Sequence, residues 1–383
     1  MKTLLKRGLQ VLLVLILLAA AVGVWKRDLV MRLLAVNSLF DAEKIVQNFS
    51  HMDTMFLTRP LSRGDGPVSP LPPGPPATLS AEAEAWIEAR SVTGLVMLKG
   101  GALVHESYYL GTGPEDLRIS WSMAKSALSL LMGTVLADGK LSLDDPVVQY
   151  APLLKGSAYD GTTVRQVLNM ASGVKFNEDY FDFYSDINQM GRVLALGGSM
   201  DAFAAGLQER EAEPGTAWHY VSIDTHVIGM VIRGATGQEI APLMEERIIG
   251  PLGLEAAPYY VTDGLGEPFV LGGLNLRTRD YARIGQFVLQ GGQWMGQQIV
   301  PADWVAQSTV PSAPGGAGYG YQCWIPDNPS PGEVMAQGVY GQYIYINPTL
   351  DVVIAVNSAD RGFEDPGVYD GTIAMLRQMA AGL

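Results

Sequence analysis

Ser122 and Lys125 stand three residues apart in Ser122-Met123-Ala124-Lys125. A serine hydroxyl attacks a carbonyl only when a nearby base takes its proton. At i and i+3 on a helix the two side chains share one face. A serine at a helix start also keeps a free backbone N–H, which can hold a developing oxyanion. Lysine must be neutral to act as the base, and burial between apolar turns lowers its pKa. The same spacing arises by chance on exposed helices. Here Ser120-Trp121-Ser122 leads into a strongly apolar run, in which a lysine at 125 needs a reason.

Two further segments carry matching chemistry. In Pro214-Gly215-Thr216-Ala217-Trp218-His219-Tyr220-Val221-Ser222, a turn delivers Tyr220 and Ser222 just before a helix expected over 224–232. A tyrosine beside a lysine is expected to have a lowered pKa and to share the proton transfer; the plain alternative is a ring packed under a loop. His219 is adjacent, but Tyr220 fits the role better. In Ala336-Gln337-Gly338-Val339-Tyr340-Gly341-Gln342, Gly338 and Gly341 let the backbone approach a ligand closely. The Val339 N–H is then placed to complete an oxyanion hole with the Ser122 N–H. The plain alternative is a glycine-containing edge strand.

These three segments, in this order, resemble the penicillin-recognising serine hydrolase superfamily, nearest the class C β-lactamase and esterase branch. Gly139-Lys140-Leu141-Ser142-Leu143-Asp144-Asp145-Pro146, Thr163 to Leu168, Ala171-Ser172-Gly173, Gly272-Gly273-Leu274-Asn275 and Arg279-Asp280-Tyr281-Ala282 are similar to its 6-aminohexanoate-dimer hydrolase-like subgroup. The resemblance spans roughly residues 80 to 380. It implies an acyl-enzyme on Ser122, proton handling by Lys125 and Tyr220, and an oxyanion held by the Ser122 and Val339 N–H groups. It also implies substrate contacts from Tyr180 and Asn275, with Ser222 and Gly338 in the second and third motifs. Asp182 and Asp186 both stand near the place of the subgroup's acidic substrate-binding residue. Two departures matter. The second motif ends in Ser222 rather than Asn, and Ala336-Gln337-Gly338 lacks the lysine that pairs a β-lactam carboxylate. The expected activity is therefore hydrolysis of small carboxylic esters or short amides. The alternatives are a β-lactamase or D,D-peptidase acting on cell-wall peptides, and a non-catalytic membrane-tethered binding module.

The elements around these residues predict an α+β fold: an antiparallel sheet built from both chain ends, flanking helices and a mainly helical insert. Gly94 to Leu98 and Ala102 to Val104 flank Lys99-Gly100-Gly101 as a hairpin. Strands are expected over 340–346 and 352–356, with a last helix over 373–379. The hydrolase domain is expected over 78–383. Residues 28–77 read as a helix followed by a Pro-rich linker or wrapping segment, with Pro70, Pro72, Pro73, Pro75 and Pro76. Residues 1–27 hold Lys2, Lys6 and Arg7, then an apolar run from Gly8 to Trp25. That run has the length of a membrane anchor, and Ala19-Ala20-Ala21 also fits a signal-peptide cleavage site. The expected location is an inner-membrane anchor with an exported catalytic domain, or a periplasmic or secreted body if the leader is cleaved.

Among 383 residues, 48% are hydrophobic and 17% charged, which suits a globular body. The net charge of −13 argues against nucleic-acid partners. The lone Cys323 permits no intramolecular disulfide and reads as a buried, inert thiol. The four histidines show no metal-ligand spacing, so neither a metal nor a cofactor is expected. The expected partner is a small ester or amide. Oligomeric state is not legible.

Overall fold

The computed structural model describes residues 2–383. Its helices used below are α1 (Lys2–Trp25), α2 (Arg27–Asn37), α3 (Ala81–Ala89), α4 (Met123–Ala137), α5 (Asp186–Leu196), α6 (Ser222–Thr236), α7 (Thr278–Leu289) and α8 (Val368–Ala381). The strands are β1 (Leu57–Pro60), β2 (Val92–Lys99), β3 (Ala102–Tyr108), β4 (Arg118–Ile119), β5 (Tyr259–Thr262), β6 (Leu274–Leu276), β7 (Tyr319–Gly320), β8 (Cys323–Trp324), β9 (Val334–Gly338), β10 (Gln342–Asn347) and β11 (Val352–Ser358).

The main sheet has seven strands in the order β3-β2-β11-β10-β9-β8-β7, and every neighbouring pair is antiparallel. The last strand, β11, lies beside the first long one, β2, with Ile354 opposite Met97 and Ala355 opposite Val96. The sheet is thus built from both chain ends, as expected. Its two faces follow the period-2 rule of a strand. Val352, Ile354 and Val356 pack with Ile87 of α3 and Leu376 of α8, whereas Val353 and Ala355 join the larger core on the other face. α7 lies on that second face, where Gly285 makes room for Val353 and Ile344.

α4 is buried almost throughout, with Ala124, Leu128, Leu131, Met132 and Val135 in the large core. It packs on α6 and β9, so the helix that follows Ser122 is pinned between the helical region and the sheet. A second, four-stranded sheet runs β1-β5-β6-β4.

The segment 28–77 is more integrated than a helix and linker. The expected helix breaks after Asn37, and Leu39, Ile45, Phe49, Met52, Met55 and Leu61 then enter the large core. β1 pairs with β5 through Leu57 opposite Thr262. The Pro-rich stretch takes the wrapping alternative: it lies along β3, with Leu103 N–H donating to Pro72 O and Gly74 N–H to Leu103 O, each at 2.8 Å. Proline cannot extend a central ladder, but it serves on such an edge.

The anchor expectation rests in part on residues 16–22, whose side chains lie outside the description. Among the described residues no helix is long and apolar enough to cross a membrane. α1 does carry exposed apolar side chains on both sides of that stretch, from Leu9 to Leu15 and at Val24 and Trp25.

Candidate active site

Ser122 sits at the start of α4, directly after Trp121, whose φ of 42° is left-handed. That region is rare for a non-glycine residue and marks a constrained site. The Ser122 N–H makes no hydrogen bond to a protein group among the described residues, and neither does the Val339 N–H. Gly338, the residue before Val339, packs against the turn at Ser122: a Cβ placed on it would stand 3.0 Å from Ser122 N and 2.7 Å from Ser120 O. Glycine at 338 is what lets β9 approach Ser122. Ser122 and Val339 line the same two cavities, and two unpaired N–H groups there are able to hold a carbonyl oxyanion.

Lys125 is 1% exposed. Its Nζ donates to Leu271 O at 2.9 Å and to Ser222 Oγ at 3.2 Å. A neutral amine has two hydrogens, so these two bonds satisfy it and leave the lone pair available. Burial drives the amine down to about 7, against a smaller upward pull from the carboxylates of Glu178 and Asp224. The Nζ also lies 5.4 Å from the centre of the Tyr220 ring.

Tyr220 faces the Ser122 and Ser222 hydroxyls, but its acidity is opposite to expectation. Burial raises its pKa well above the ordinary phenol range, and the negative charge of Glu178 raises it further. A lysine whose own pKa has fallen to about 7 carries only part of a positive charge at neutral pH, which weakens its offset. Tyr220 is therefore a protonated phenol able to donate or relay a proton, and the buried Lys125 amine is a group able to accept one.

Glu178 is the site residue that the sequence reading missed. It accepts from the Ser222 N–H at 3.0 Å, from the Ser222 hydroxyl, and from the Tyr180 hydroxyl at 2.7 Å. Tyr180 lies at the site, held by this bond, and its hydroxyl stays protonated because burial and Glu178 push its pKa up. Asp182 and Asp186 are elsewhere: each accepts from a nearby backbone N–H, of Tyr184 and Asn177 respectively. Asn275 is a correction. It is fully buried in β6, donates to Gly273 O at 2.9 Å, and lines neither cavity at Ser122. His219 pairs with Glu211 instead of the nucleophile. Cys323 is buried, and burial pushes its thiol up to about 12.

Glu178→Gln is expected to move the acid limb of kcat/KM to lower pH, because it removes a negative charge that favours protonated Lys125. A pH profile checks this, and an unmoved limb would show that Lys125 does not sense Glu178.

Ser122 lies between two cavities. One, of about 330 Å³, is mainly apolar and is closed by residues of α2, α5 and the segment after α2. The other, of about 570 Å³, holds Tyr220, Glu178, Glu364, Asp365 and Asp370. Aromatic rings join the walls. Phe40 stacks on Tyr340 with centroids 4.8 Å apart, and Phe363 meets Tyr340 at 4.8 Å and Tyr180 at 6.0 Å. Tyr340, which follows Val339, also has a left-handed φ, of 59°. The N-terminal segment therefore braces the turn at Tyr340, next to Val339.

The family model described as Beta-lactamase matches residues 87–378. The chain belongs to the beta-lactamase family. It is 27% identical over 328 residues to the 6-aminohexanoate-dimer hydrolase of Paenarthrobacter ureafaciens, covering 80% of this chain and 83% of that one. It is 26% identical to esterase EstB of Burkholderia gladioli over 167 residues, 38% of this chain and 42% of the relative. Among solved structures, a Bacillus anthracis protein assigned as a 6-aminohexanoate-dimer hydrolase superposes with a TM-score of 0.80 at 22% identity, covering 89% of this chain and 95% of its own. That likeness carries the fold. As a member of this family the chain is a serine hydrolase, and the non-catalytic alternative is set aside.

Proposed function

We propose that the protein hydrolyses small carboxylic esters or short amides through an acyl-enzyme on Ser122. The observation that carries the choice within the family is the charge opposite the nucleophile. The cavity shared by Ser122 and Tyr220 is lined by Glu178, Glu364, Asp365 and Asp370, and among the described residues no Lys or Arg lines it. A β-lactam carboxylate requires a cation there. The names of the relatives, a 6-aminohexanoate-dimer hydrolase and an esterase, support the same reading.

In this mechanism the Ser122 Oγ bonds to the carbonyl carbon while its proton passes to Lys125, directly or across the Tyr220 hydroxyl. The carbonyl oxygen becomes negative against the Ser122 and Val339 N–H groups. Collapse breaks the bond to the leaving group, which takes the proton back from the Tyr220 side. Water then attacks the acyl-enzyme, giving up a proton by the same route, and Ser122 is restored.

Labelling by a fluorophosphonate is expected on Ser122 and is lost in Ser122→Ala; labelling that persists in the variant would remove the assignment. Hydrolysis of p-nitrophenyl acetate without measurable nitrocefin turnover separates esterase from β-lactamase. We further propose that α1 anchors the protein in the inner membrane with the catalytic body exported, supported by the apolar run from Gly8 to Trp25. Protease added outside spheroplasts should then digest the body, and a protected body would refute export.

A further inference from the structure

The two cavities at Ser122 differ in chemistry, and the position of the proton donor orients a substrate across them. Tyr220 lines the acidic cavity and is absent from the apolar one. A leaving group must receive a proton as its bond to the acyl carbon breaks, so it lies on the Tyr220 side. The remaining substituent of the acyl carbon then points into the apolar cavity. Leu39 and Phe40 of the N-terminal segment, Met190 and Gly191 of α5, and Val261 and Phe269 enclose that space. Its volume of about 330 Å³ is many times what a single water molecule needs, so it has room for a chain of several methylene groups. Gly191 supplies a second, separate observation. A Cβ there would meet nothing within 4 Å, so close packing does not explain the glycine. Glycine inside a helix is less favourable than alanine, and here its effect is to leave the cavity open.

We infer that the apolar cavity holds the acyl chain, and that the enzyme selects esters or amides of medium-length aliphatic acids over acetyl compounds. This rests on the acyl-enzyme reading above and names its substrate class. The N-terminal segment, which precedes the region matched by the family model, forms the roof of this acyl site.

The test uses p-nitrophenyl esters from acetate to decanoate, each below its micelle concentration, with the full chain. For each added methylene, kcat/KM is expected to rise about fourfold until the cavity is full, the ratio that follows from the burial of one CH₂. The isomers ethyl octanoate and octyl acetate contain the same atoms with the chain moved across the ester. Ethyl octanoate is expected to be at least tenfold better. In Gly191→Phe, which fills the cavity, the octanoate-to-acetate ratio of kcat/KM is expected to fall at least tenfold; the ratio cancels any loss of folded enzyme. Gly191→Ala, a milder change, should shift the optimum to a shorter chain. A flat chain-length profile, or preference for octyl acetate, overturns the inference while Ser122-dependent hydrolysis of acetate keeps the esterase reading. Failure of every ester, together with no labelling of Ser122, overturns both.

Discussion

Lys125→Met is expected to lower kcat by about 10³-fold, the scale of a lost general base, while making the folded protein harder to unfold at neutral pH. The two effects have one cause. Lys125 is buried, and its amine falls from an ordinary 10.5 to about 7. Between those values the unfolded chain binds a proton that the folded protein does not. Wild-type stability should therefore rise with pH across that window by about 1.4 kcal/mol per unit. The cost of the buried amine is absent above pH 10.5 and fully present below about 7. Methionine removes this dependence, offset in part by leaving Leu271 O and Ser222 Oγ without their donor. Denaturation of both proteins at several pH values measures it. In the wild type, kcat/KM should climb with pH through about 7 as the amine becomes neutral. A variant that retains turnover within tenfold, or an acid limb far from 7, would refute the assignment of Lys125 as the base.

The second large effect is expected at Gly338. An alanine Cβ there would meet Ser120 O at 2.7 Å, Ser122 N at 3.0 Å and Trp121 Cβ at 3.1 Å. Two of these are backbone atoms at the mouth of a buried helix, so no flexible side chain can give way. The end of β9 must move outward, and Val339 N–H moves with it. Losing one oxyanion donor costs on the order of 10²–10³ in kcat. Gly338→Ala is therefore expected to lose about 10² in kcat with a much smaller change in KM, measured per labelled active site. A kcat within threefold of wild type would show that Val339 does not hold the oxyanion. Phe40 and Tyr340 stack beside this turn, which limits its freedom to relax.

Much of this arrangement was legible in local sequence. Ser122 and Lys125 share a turn, and the apolar run after them predicts a buried helix, so the lysine's depressed pKa follows from composition alone. The hairpin at Gly100-Gly101 and the strands at both chain ends were readable from turn residues and alternation. Glu178 was not. It meets Ser222 only through the fold, and in Asn177-Glu178-Asp179-Tyr180 it resembles ordinary surface acid. Its one local signal was its place beside Tyr180. The direction of the Tyr220 shift was also lost, because sequence shows the neighbouring lysine but not that burial neutralises it. Asn275 failed for a different reason: it lies in a short strand between β4 and β5, where its side chain turns into the protein. Residues 28–77 looked like a tether because prolines dominate the latter part, whereas the pairing of β1 with β5 depends on a partner far along the chain.

The placement of β11 against β2 has a temporal consequence. During synthesis the nucleophile helix emerges long before β9, β10 and β11, so Ser122 waits without its second oxyanion donor. Pairings between distant chain segments also form slowly. Hydrolytic competence is thus one of the last properties the nascent polypeptide acquires, and a chain halted before β9 would carry Ser122 and Lys125 yet remain inert.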